Sequence, residues 1–247
     1  MLIENPWTNL RELTAARIAL GRCGHSLPTR ELLAFQLAHA RARDAVHFQL
    51  DPQLLSGRET IQLKSAARDR GIYLRRPDLG RKLDPESADS LTRGEWDLVI
   101  IVADGLSAIA LNRHAEPVLD ILLPQLEGLQ IAPVCVVENG RVAIGDEIGG
   151  RIGAAMALVL IGERPGLSSP DSLGAYLTWG PRLGRTDAER NCVSNIRIGG
   201  LEPALAAQRI AALIRTACKR RLTGVELNTN DPLPAPISPA TLAPAGT

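Results

Sequence analysis

Short, unbroken apolar runs recur along the second half of the chain. "DLVIIVADG" begins at Asp97, "IAPVCVVENG" at Ile131 and "AMALVLIG" at Ala155. Apolar runs of this length, bounded by charged residues or glycine, predict strands that are buried on both faces of a sheet. Tyr176–Trp179 and the more polar "NCVSNIRIGG" predict a fourth and a fifth strand.

Helical patterns separate these runs. Residues 106–128 predict a helix with Pro117 inside it, which we expect to kink or split the helix. "GDEIGGRIGA" predicts a short helix with carboxylates in its first turn. Residues 202–224 predict a last helix that begins at Pro203 and ends in basic residues before a glycine. Strands that alternate with helices predict an open, mostly parallel α/β sheet.

The first part of the chain has a different pattern. Helices are predicted from near Leu10 to Gly21, from Thr29 to the residues before Pro52, and over residues 58–70. The polar stretch 75–90 is typical of a connecting loop. We therefore expect a helical N-terminal segment over residues 1–90, an α/β domain over 91–228 and a disordered Pro-rich tail over 229–247.

Composition limits the classes of function. The chain has 247 residues, 45% of them hydrophobic, and a net charge of +1. This charge gives no electrostatic case for binding nucleic acid or a membrane surface, and no apolar stretch is long enough for a membrane span. The four cysteines are far apart and form no CxxC pair. A zinc site or a disulfide framework is therefore not predicted, and a reducing cytoplasm fits the sequence.

The glycine-rich stretch Gly162–Gly166, "GERPG", follows the third predicted strand. It lacks the lysine of a phosphate-binding P-loop, and no GxGxxG follows the first strand. Ligands bind beyond the carboxyl ends of parallel strands, so the stretch reads equally well as a ligand-binding loop or as a plain turn. Asp104, at the end of the first of these strands, reads mainly as a turn residue or helix cap.

The chain shows no self-contained catalytic set. Ser107 is not in a GxSxG elbow, and the four histidines have no cysteine or carboxylate pattern that would complete a metal site. We therefore predict no catalytic residue and no metal ligand in this chain. Loops suited to a ligand, without an acid, base or nucleophile, favour a binding subunit.

Four motifs in order, however, point to a known family. "DLVIIVADGLSAIAL", "GRVAIGDEIGG", "LIGERPGLSSPDSLGAY" and "NCVSNIRIGG" together resemble the small subunits of adenosylcobalamin-dependent ethanolamine ammonia-lyases. The N-terminal stretch that begins "NPWTNLRELTAARIALG" and the basic "RPDLGRKLD" fit the same family. The resemblance covers residues from about 5 to 228 and leaves out the Pro-rich tail.

The resemblance implies an activity and a partner. Ethanolamine would be converted to acetaldehyde and ammonia by a radical route that depends on adenosylcobalamin. A large TIM-barrel subunit would carry the substrate site, and this chain would supply a Rossmann-like domain that covers the cobalamin at the subunit interface. The alternatives are a stand-alone corrinoid-binding protein and a structural subunit without a lyase role.

The resemblance also implies three corrinoid contacts: Val142, Glu163 and Cys192. It favours a ligand-binding role for the stretch Gly162–Gly166, whose glycines would let the backbone and Glu163 approach the corrinoid. The DxHxxG signature that supplies a histidine ligand to cobalt is absent, so the cofactor's own base is expected to remain the lower ligand. Related enzymes are associated with bacterial microcompartments, and the sequence leaves encapsulation open.

Overall fold

The protein is a mixed α/β structure built on one six-stranded sheet. The computed structural model describes residues 7–14 and 16–227. The strands are β1 (Thr60–Lys64), β2 (Trp96–Ala103), β3 (Val134–Glu138), β4 (Ala154–Gly162), β5 (Leu173–Trp179) and β6 (Arg190–Ile196). The α-helices are α1 (Thr29–His47), α2 (Arg70–Arg75), α3 (Pro85–Ser90), α4 (Ala108–Leu122), α5 (Ile144–Ile152) and α6 (Pro203–Arg220).

The strands lie in the order β1-β3-β2-β4-β5-β6. The first four pair in parallel, and β5 and β6 continue the sheet as antiparallel strands. Ile101 of β2 lies level with Cys135 of β3 and with Val159 of β4. The sheet is therefore mostly parallel, and the carboxyl ends of β1 to β4 share one edge.

Helices cover the two faces of the sheet unequally. Residues of β2 alternate between two fully buried layers, so that Ile100 faces α4 and α6 while Ile101 faces α5. This two-sided burial explains the continuous apolar runs in the sequence. On the α5 side, Cys192 and Ser194 of β6 remain exposed. The sheet face over β5 and β6 is thus open next to α5.

Two predictions for the N-terminal segment are wrong. Residues 58–70 contain β1 instead of a helix, and the strand pairs with β3 at the edge of the sheet. Its local pattern is weak because only Leu63 is buried, and pairing with β3 decides the conformation. The helix predicted from Leu10 is only a short 3-10 helix, Thr8–Glu12, without a buried side chain. A helix that buries nothing gains little stability in water.

The stretch 75–90 contains more regular structure than the predicted loop. It includes the 3-10 helix Leu79–Arg81 and all of α3. Asp84 caps α3 by accepting a hydrogen bond from the N–H of Ser87 at 2.8 Å, and Pro85 occupies the first turn. A capping carboxylate followed by proline is a helix start that the sequence displays.

Helix α4 continues through Pro117 without a break. Of the two expected effects of this proline, a kink or a split, the split is therefore wrong, and the kink stays a prediction. Val118, Leu119 and Leu122 are fully buried against the sheet and α6, and this packing holds the helix together across the missing N–H group. A third 3-10 helix, Leu123–Leu126, directly follows α4.

Of the remaining sequence-based predictions, some are confirmed and others stay predictions. The strands predicted from Asp97, Ile131 and Ala155 are confirmed as β2, β3 and β4. The division of the chain at residue 90 stays a prediction, although β1 lies before it and belongs to the sheet. The tail 229–247 lies outside the described residues. Across the described ranges, no helix combines the length and apolar character that a bilayer crossing requires.

Candidate functional site

Glu163 directly follows β4 at the carboxyl edge of the sheet. Its backbone N–H donates to the Ser172 carbonyl at 2.9 Å. Its Oε2 atom accepts two hydrogen bonds, one from the Ser172 hydroxyl and one from the Asn195 N–H at 3.3 Å. Within residues 7–14 and 16–227, Oε1 accepts none. The carboxylate is therefore held through one oxygen while the other remains available as an acceptor.

Gly174 of β5 makes room for this carboxylate. A Cβ atom at this position would lie 2.9 Å from Oε1 of Glu163 and 3.0 Å from the ring of Tyr176. A larger residue at this position would therefore displace the Glu163 carboxylate and crowd the Tyr176 ring. Gly174 thus lets the Glu163 carboxylate lie against the α5 side of the sheet.

Cys192 lies on the same side, directly across from Tyr176 in the β5–β6 ladder. Burial raises the pKa of the Cys192 thiol, and the negative charge of Glu163 acts in the same direction. Burial and the neighbouring Cys192 also raise the pKa of the Tyr176 hydroxyl. Cys192 therefore stays a neutral thiol at physiological pH and is not an activated nucleophile.

Val142 lies between β3 and α5. It is half-buried and packs on the apolar layer of the α5 side, as Tyr176 does. The turn before it is fixed by an Arg141 N–H bond to the Gly80 carbonyl at 2.7 Å. The Tyr73 hydroxyl donates to the Gly140 carbonyl at 3.1 Å.

The structure thus places the three predicted contact residues on one side of the sheet. Tyr176 lies opposite Cys192 in the β5–β6 ladder, and its ring and the Glu163 carboxylate both lie beside Gly174. Val142 packs on the same apolar layer as Tyr176. Sequence reasoning missed Ser172, Tyr176 and Asn195, which hold or adjoin the predicted residues. No local pattern reveals them, because they meet Glu163 and Cys192 only through the pairing of β4, β5 and β6.

Gly162 of the "GERPG" stretch packs closely against the protein's own backbone. Gly162 and Gly166 do not adopt a positive φ. A Cβ atom at Gly162 would lie 2.1 Å from the Ser107 carbonyl oxygen, and the Leu106 N–H donates to the Gly162 carbonyl at 2.9 Å. Gly162 is therefore needed for contact with the protein's own backbone. The expectation that the glycines of this stretch let the backbone and Glu163 approach a corrinoid stays a prediction.

Asp104, expected to be a turn residue or helix cap, is a buried carboxylate. Its Oδ1 accepts the Gly140 N–H at 3.1 Å, and its Oδ2 lies 3.4 Å from Nη1 of Arg70. Burial raises the pKa of Asp104 to about 6, although the Arg70 guanidinium opposes the shift. The carboxylate and Arg70 line a cavity of about 400 Å³ together with Glu138 and His47.

A metal centre is not formed by the described part of the chain, where no three His, Cys, Asp or Glu side chains come close enough to hold an ion. His114 is buried 3.7 Å from Asp171, and burial lowers its pKa. The arrangement around Glu163, Tyr176 and Cys192 offers hydrogen bonding and packing to a ligand. It offers no acid, base or nucleophile set.

Comparison with known proteins gives a consistent result. Residues 4–228 match the model of the family "Ethanolamine ammonia-lyase light chain (EutC)". The ethanolamine ammonia-lyase small subunit of Azotobacter vinelandii is 58% identical over 238 residues, which cover 91% of this chain and 88% of that protein. The small subunits of Pseudomonas aeruginosa and Pseudomonas fluorescens are 56% and 57% identical, each over 91% of this chain and 87% of its own length. The chain therefore belongs to the family of ethanolamine ammonia-lyase light chains.

Proposed function

We propose that this chain is the small subunit of an ethanolamine ammonia-lyase that converts ethanolamine to acetaldehyde and ammonia. The chain works only together with a large subunit, a TIM barrel that carries the substrate site. Its own part is a Rossmann-like domain that helps to bind adenosylcobalamin at the interface. The family match supports the activity, and the arrangement of Glu163 supports the role in cofactor binding.

The residues present fit a corrinoid. The corrin ring carries amide arms along its edge, and each arm offers N–H donors. Oε1 of Glu163 accepts no hydrogen bond from the described residues, and such a carboxylate oxygen accepts strongly from an amide donor. The exposed Cys192 is small enough to lie against a large ring, and Val142 adds an apolar surface. The single observation that carries this assignment is the half-satisfied carboxylate of Glu163 on an open sheet face.

When bound, adenosylcobalamin supplies the radical chemistry, and the protein supplies binding and orientation. In this chain Glu163 accepts a hydrogen bond and is kept in place by Ser172 and Asn195. Val142 and Tyr176 pack on the apolar layer below and keep water from that side of the site. The neutral Cys192 contributes shape instead of reactivity.

The proposal extends to organisation and location. The proposed cobalamin-binding domain is residues 91–228, and β1 of the preceding segment 1–90 adds an edge strand to its sheet. This chain would hold the corrinoid and would supply no ligand to cobalt. The protein acts in the cytoplasm, either free or inside a bacterial microcompartment. Nucleic acid and membranes are not among its partners.

Reconstitution tests the proposal. The purified chain should give no acetaldehyde from ethanolamine and adenosylcobalamin, whereas mixing it with the large subunit should restore turnover. Acetaldehyde is measured through the oxidation of NADH by an added alcohol dehydrogenase. Turnover by this chain alone would contradict the proposed division of labour. A chain that binds cobalamin without the large subunit would indicate a stand-alone corrinoid protein, and a complex unaffected by cobalamin would indicate a purely structural subunit.

A further inference from the structure

The turn between β3 and α5 carries an arginine that has no part in the contacts proposed so far. Arg141 directly precedes Val142, one of the three proposed corrinoid contacts, and it is half-buried. Among the described residues, no acidic side chain lies within ion-pair distance of its guanidinium. An arginine that is fixed in the fold without a carboxylate partner can bind an anion.

The fold orients this guanidinium. Its Cζ atom lies 4.2 Å from the centre of the Tyr73 ring, so the group stacks on the ring. Its Nη2 donates a long hydrogen bond to the Tyr73 carbonyl at 3.5 Å. Gly80 makes room for the side chain, because a Cβ atom there would lie 2.8 Å from Cγ of Arg141 and 3.0 Å from the Tyr73 ring. A side chain oriented in advance loses less entropy when a ligand binds.

Several hydrogen-bond donors at this turn lack an acceptor. Nε of Arg141 is buried and has no hydrogen-bond partner within the described ranges. Its Nη1 donates to no described residue either, and it is not enclosed. The backbone N–H groups of Val142 and Ala143 likewise have no acceptor among the residues that the structure describes. Free donors beside a fixed positive charge favour a ligand with several acceptor oxygens.

The segment that packs on this turn is strongly basic. The Arg141 N–H donates to the Gly80 carbonyl at 2.7 Å, and the Tyr73 hydroxyl donates to the Gly140 carbonyl at 3.1 Å. Residues 68–82 contain six arginines and lysines and two aspartates, a net charge of +4 in a chain whose total is +1. The rest of the chain therefore carries a net charge of −3. Positive potential is concentrated beside Arg141, which favours an anionic ligand there.

Arg141 and Glu163 lie at the same edge of the sheet. Arg141 follows β3 and Glu163 follows β4, and both strands pair in parallel with β2, which lies between them. Because neighbouring strands are about 4.8 Å apart, the carboxyl ends of β3 and β4 are about 10 Å apart. One ligand of the size of a corrinoid can span this distance.

We propose that Arg141 binds the phosphate of the nucleotide arm of adenosylcobalamin. The phosphodiester of this arm is negatively charged, whereas the other side arms of the corrin ring end in neutral amides. Glu163 suits the amides and would repel the phosphate, and Arg141 has the opposite preference. A phosphate enclosed between two subunits needs a cation, because burying an unpaired charge is costly. This inference rests on the proposed function and adds an anion contact to it.

Three forms of the cofactor separate the phosphate from the rest of the ligand. Adenosylcobinamide lacks the phosphate, the ribose and the base, adenosylcobinamide phosphate lacks the ribose and the base, and adenosylcobalamin has all three. Each form is titrated by calorimetry into the complex of the full chain with the large subunit. In the unmodified complex, adenosylcobinamide phosphate should bind about tenfold more tightly than adenosylcobinamide, or better.

The Arg141→Gln complex should bind adenosylcobalamin and adenosylcobinamide phosphate about tenfold more weakly, and adenosylcobinamide within about twofold of the unmodified complex. Arg141→Lys keeps the charge without the planar donor group, so it should show an intermediate preference for phosphate. Arg81→Gln removes the same charge from an exposed position of the basic segment and should leave the preference for phosphate unchanged.

An undiminished preference for phosphate in Arg141→Gln would overturn the inference and leave the proposed function intact. An equal loss for all three ligands would also overturn it, because Arg141 would then act by shaping the turn at Val142. A loss of phosphate preference in Arg81→Gln that equals the loss in Arg141→Gln would show a general effect of charge instead of a contact.

A pull-down of the large subunit by each variant tests the other anionic partner. Weaker binding of the large subunit by Arg141→Gln, with the preference for phosphate retained, would assign Arg141 to a carboxylate of that subunit and overturn the inference. If Arg141→Gln does not assemble, the preference of the Arg141→Lys complex decides, and a preference equal to that of the unmodified complex counts against the contact. Failure of the unmodified complex to bind adenosylcobalamin would instead contradict the proposed function.

Discussion

Glu163 has two carboxylate oxygens with different surroundings. Oε2 accepts hydrogen bonds from the Ser172 hydroxyl and the Asn195 N–H, whereas Oε1 lies beside Gly174 and accepts none from the described residues. Fixing one oxygen orients the other before a ligand arrives, which lowers the entropic cost of binding. Ser172 is therefore a positioning residue for the proposed cofactor contact.

Replacing these residues should weaken cobalamin binding by different amounts. Glu163→Ala removes a charge-assisted hydrogen bond and should cost about 1.5–3 kcal/mol of affinity in the assembled complex. Ser172→Ala leaves the acceptor in place but loosens it, so a smaller loss of about 0.5–1.5 kcal/mol is expected. Titration of the complex with adenosylcobalamin, followed by absorbance, measures both.

The exposed Ser168 in the same loop provides the control, and Ser168→Ala should bind cobalamin normally. If Glu163→Ala binds cobalamin as tightly as the unmodified complex, Glu163 does not belong to the site. A loss for Ser172→Ala that equals the loss for Glu163→Ala would mean that Ser172 touches the ligand itself.

Asp104 makes stability depend on pH. Burial raises its pKa from the ordinary value of 3.8 to about 6, so the folded state holds the proton more tightly than the unfolded chain. The stabilising contribution of the protonated carboxyl is complete below the unfolded pKa and is lost as the pH rises through the folded one. Between pH 5 and pH 7 this group alone should lower the free energy of unfolding by about 1 kcal/mol.

Asp104→Asn isolates this effect, because the amide oxygen can still accept the Gly140 N–H while the side chain no longer titrates. Urea unfolding at both pH values should show the unmodified chain losing about 1 kcal/mol relative to the variant on going from pH 5 to pH 7. Asp89→Asn, at an exposed carboxylate, should behave like the unmodified chain. Equal pH dependence in Asp104→Asn and the unmodified chain would show that Asp104 does not titrate in this range.

At the scale of elements, a buried ion pair fixes the edge strand β6 to α5. Arg190 donates to both oxygens of Asp146 at 2.6 and 2.7 Å, and both side chains are 3% exposed. Arg190 also donates to the Thr178 hydroxyl of β5 at 2.9 Å. Asp146, a carboxylate in the first turn of α5, thus has a structural role that links three elements of the fold. The ion pair between Arg190 and Asp146 thereby holds α5 next to the open sheet face over β5 and β6.

Removing one partner of this pair should be far more damaging than removing both. Arg190→Met leaves Asp146 as a buried charge without its partner, and we expect a loss of about 3–5 kcal/mol in the free energy of unfolding. Arg190→Met/Asp146→Leu should recover most of that loss. Chemical denaturation measures all three proteins.

The exposed pair Arg113–Asp171 gives the matched control, since the Arg113 side chain is 56% exposed. Arg113→Met should cost no more than about 1 kcal/mol. A double variant as unstable as Arg190→Met would mean that the damage comes from lost packing at Arg190 and not from the uncompensated charge.

At the scale of the whole molecule, the sheet and the N-terminal residues 7–48 have opposite surroundings. The inner residues of β2 are buried on both faces by the chain itself, whereas α1 buries one residue. The sheet therefore satisfies its apolar surface internally, while residues 7–48 carry nine of the thirteen large hydrophobic side chains that are exposed among the described residues.

Elements with a clear apolar pattern within their own segment could be predicted from the sequence alone. β2, β3, β4, α4 and α6 were predictable because burial on a known face leaves a periodic apolar pattern within each segment. The order of motifs also pointed to the family, which the comparisons confirm. Glu163 was singled out only through that resemblance, because the loop that carries it reads equally well as a ligand-binding loop or a plain turn.

Features that depend on segments far apart in the chain could be read only from the folded structure. β1 became a strand through pairing with β3, and β5 and β6 joined the sheet in the antiparallel sense. The neighbours of Glu163, the burial of Asp104 and the partner of Asp146 likewise come from residues far along the chain. The physical reason is that apolar periodicity records whether a residue is buried, whereas its hydrogen-bond partners are chosen by strand pairing and packing between segments.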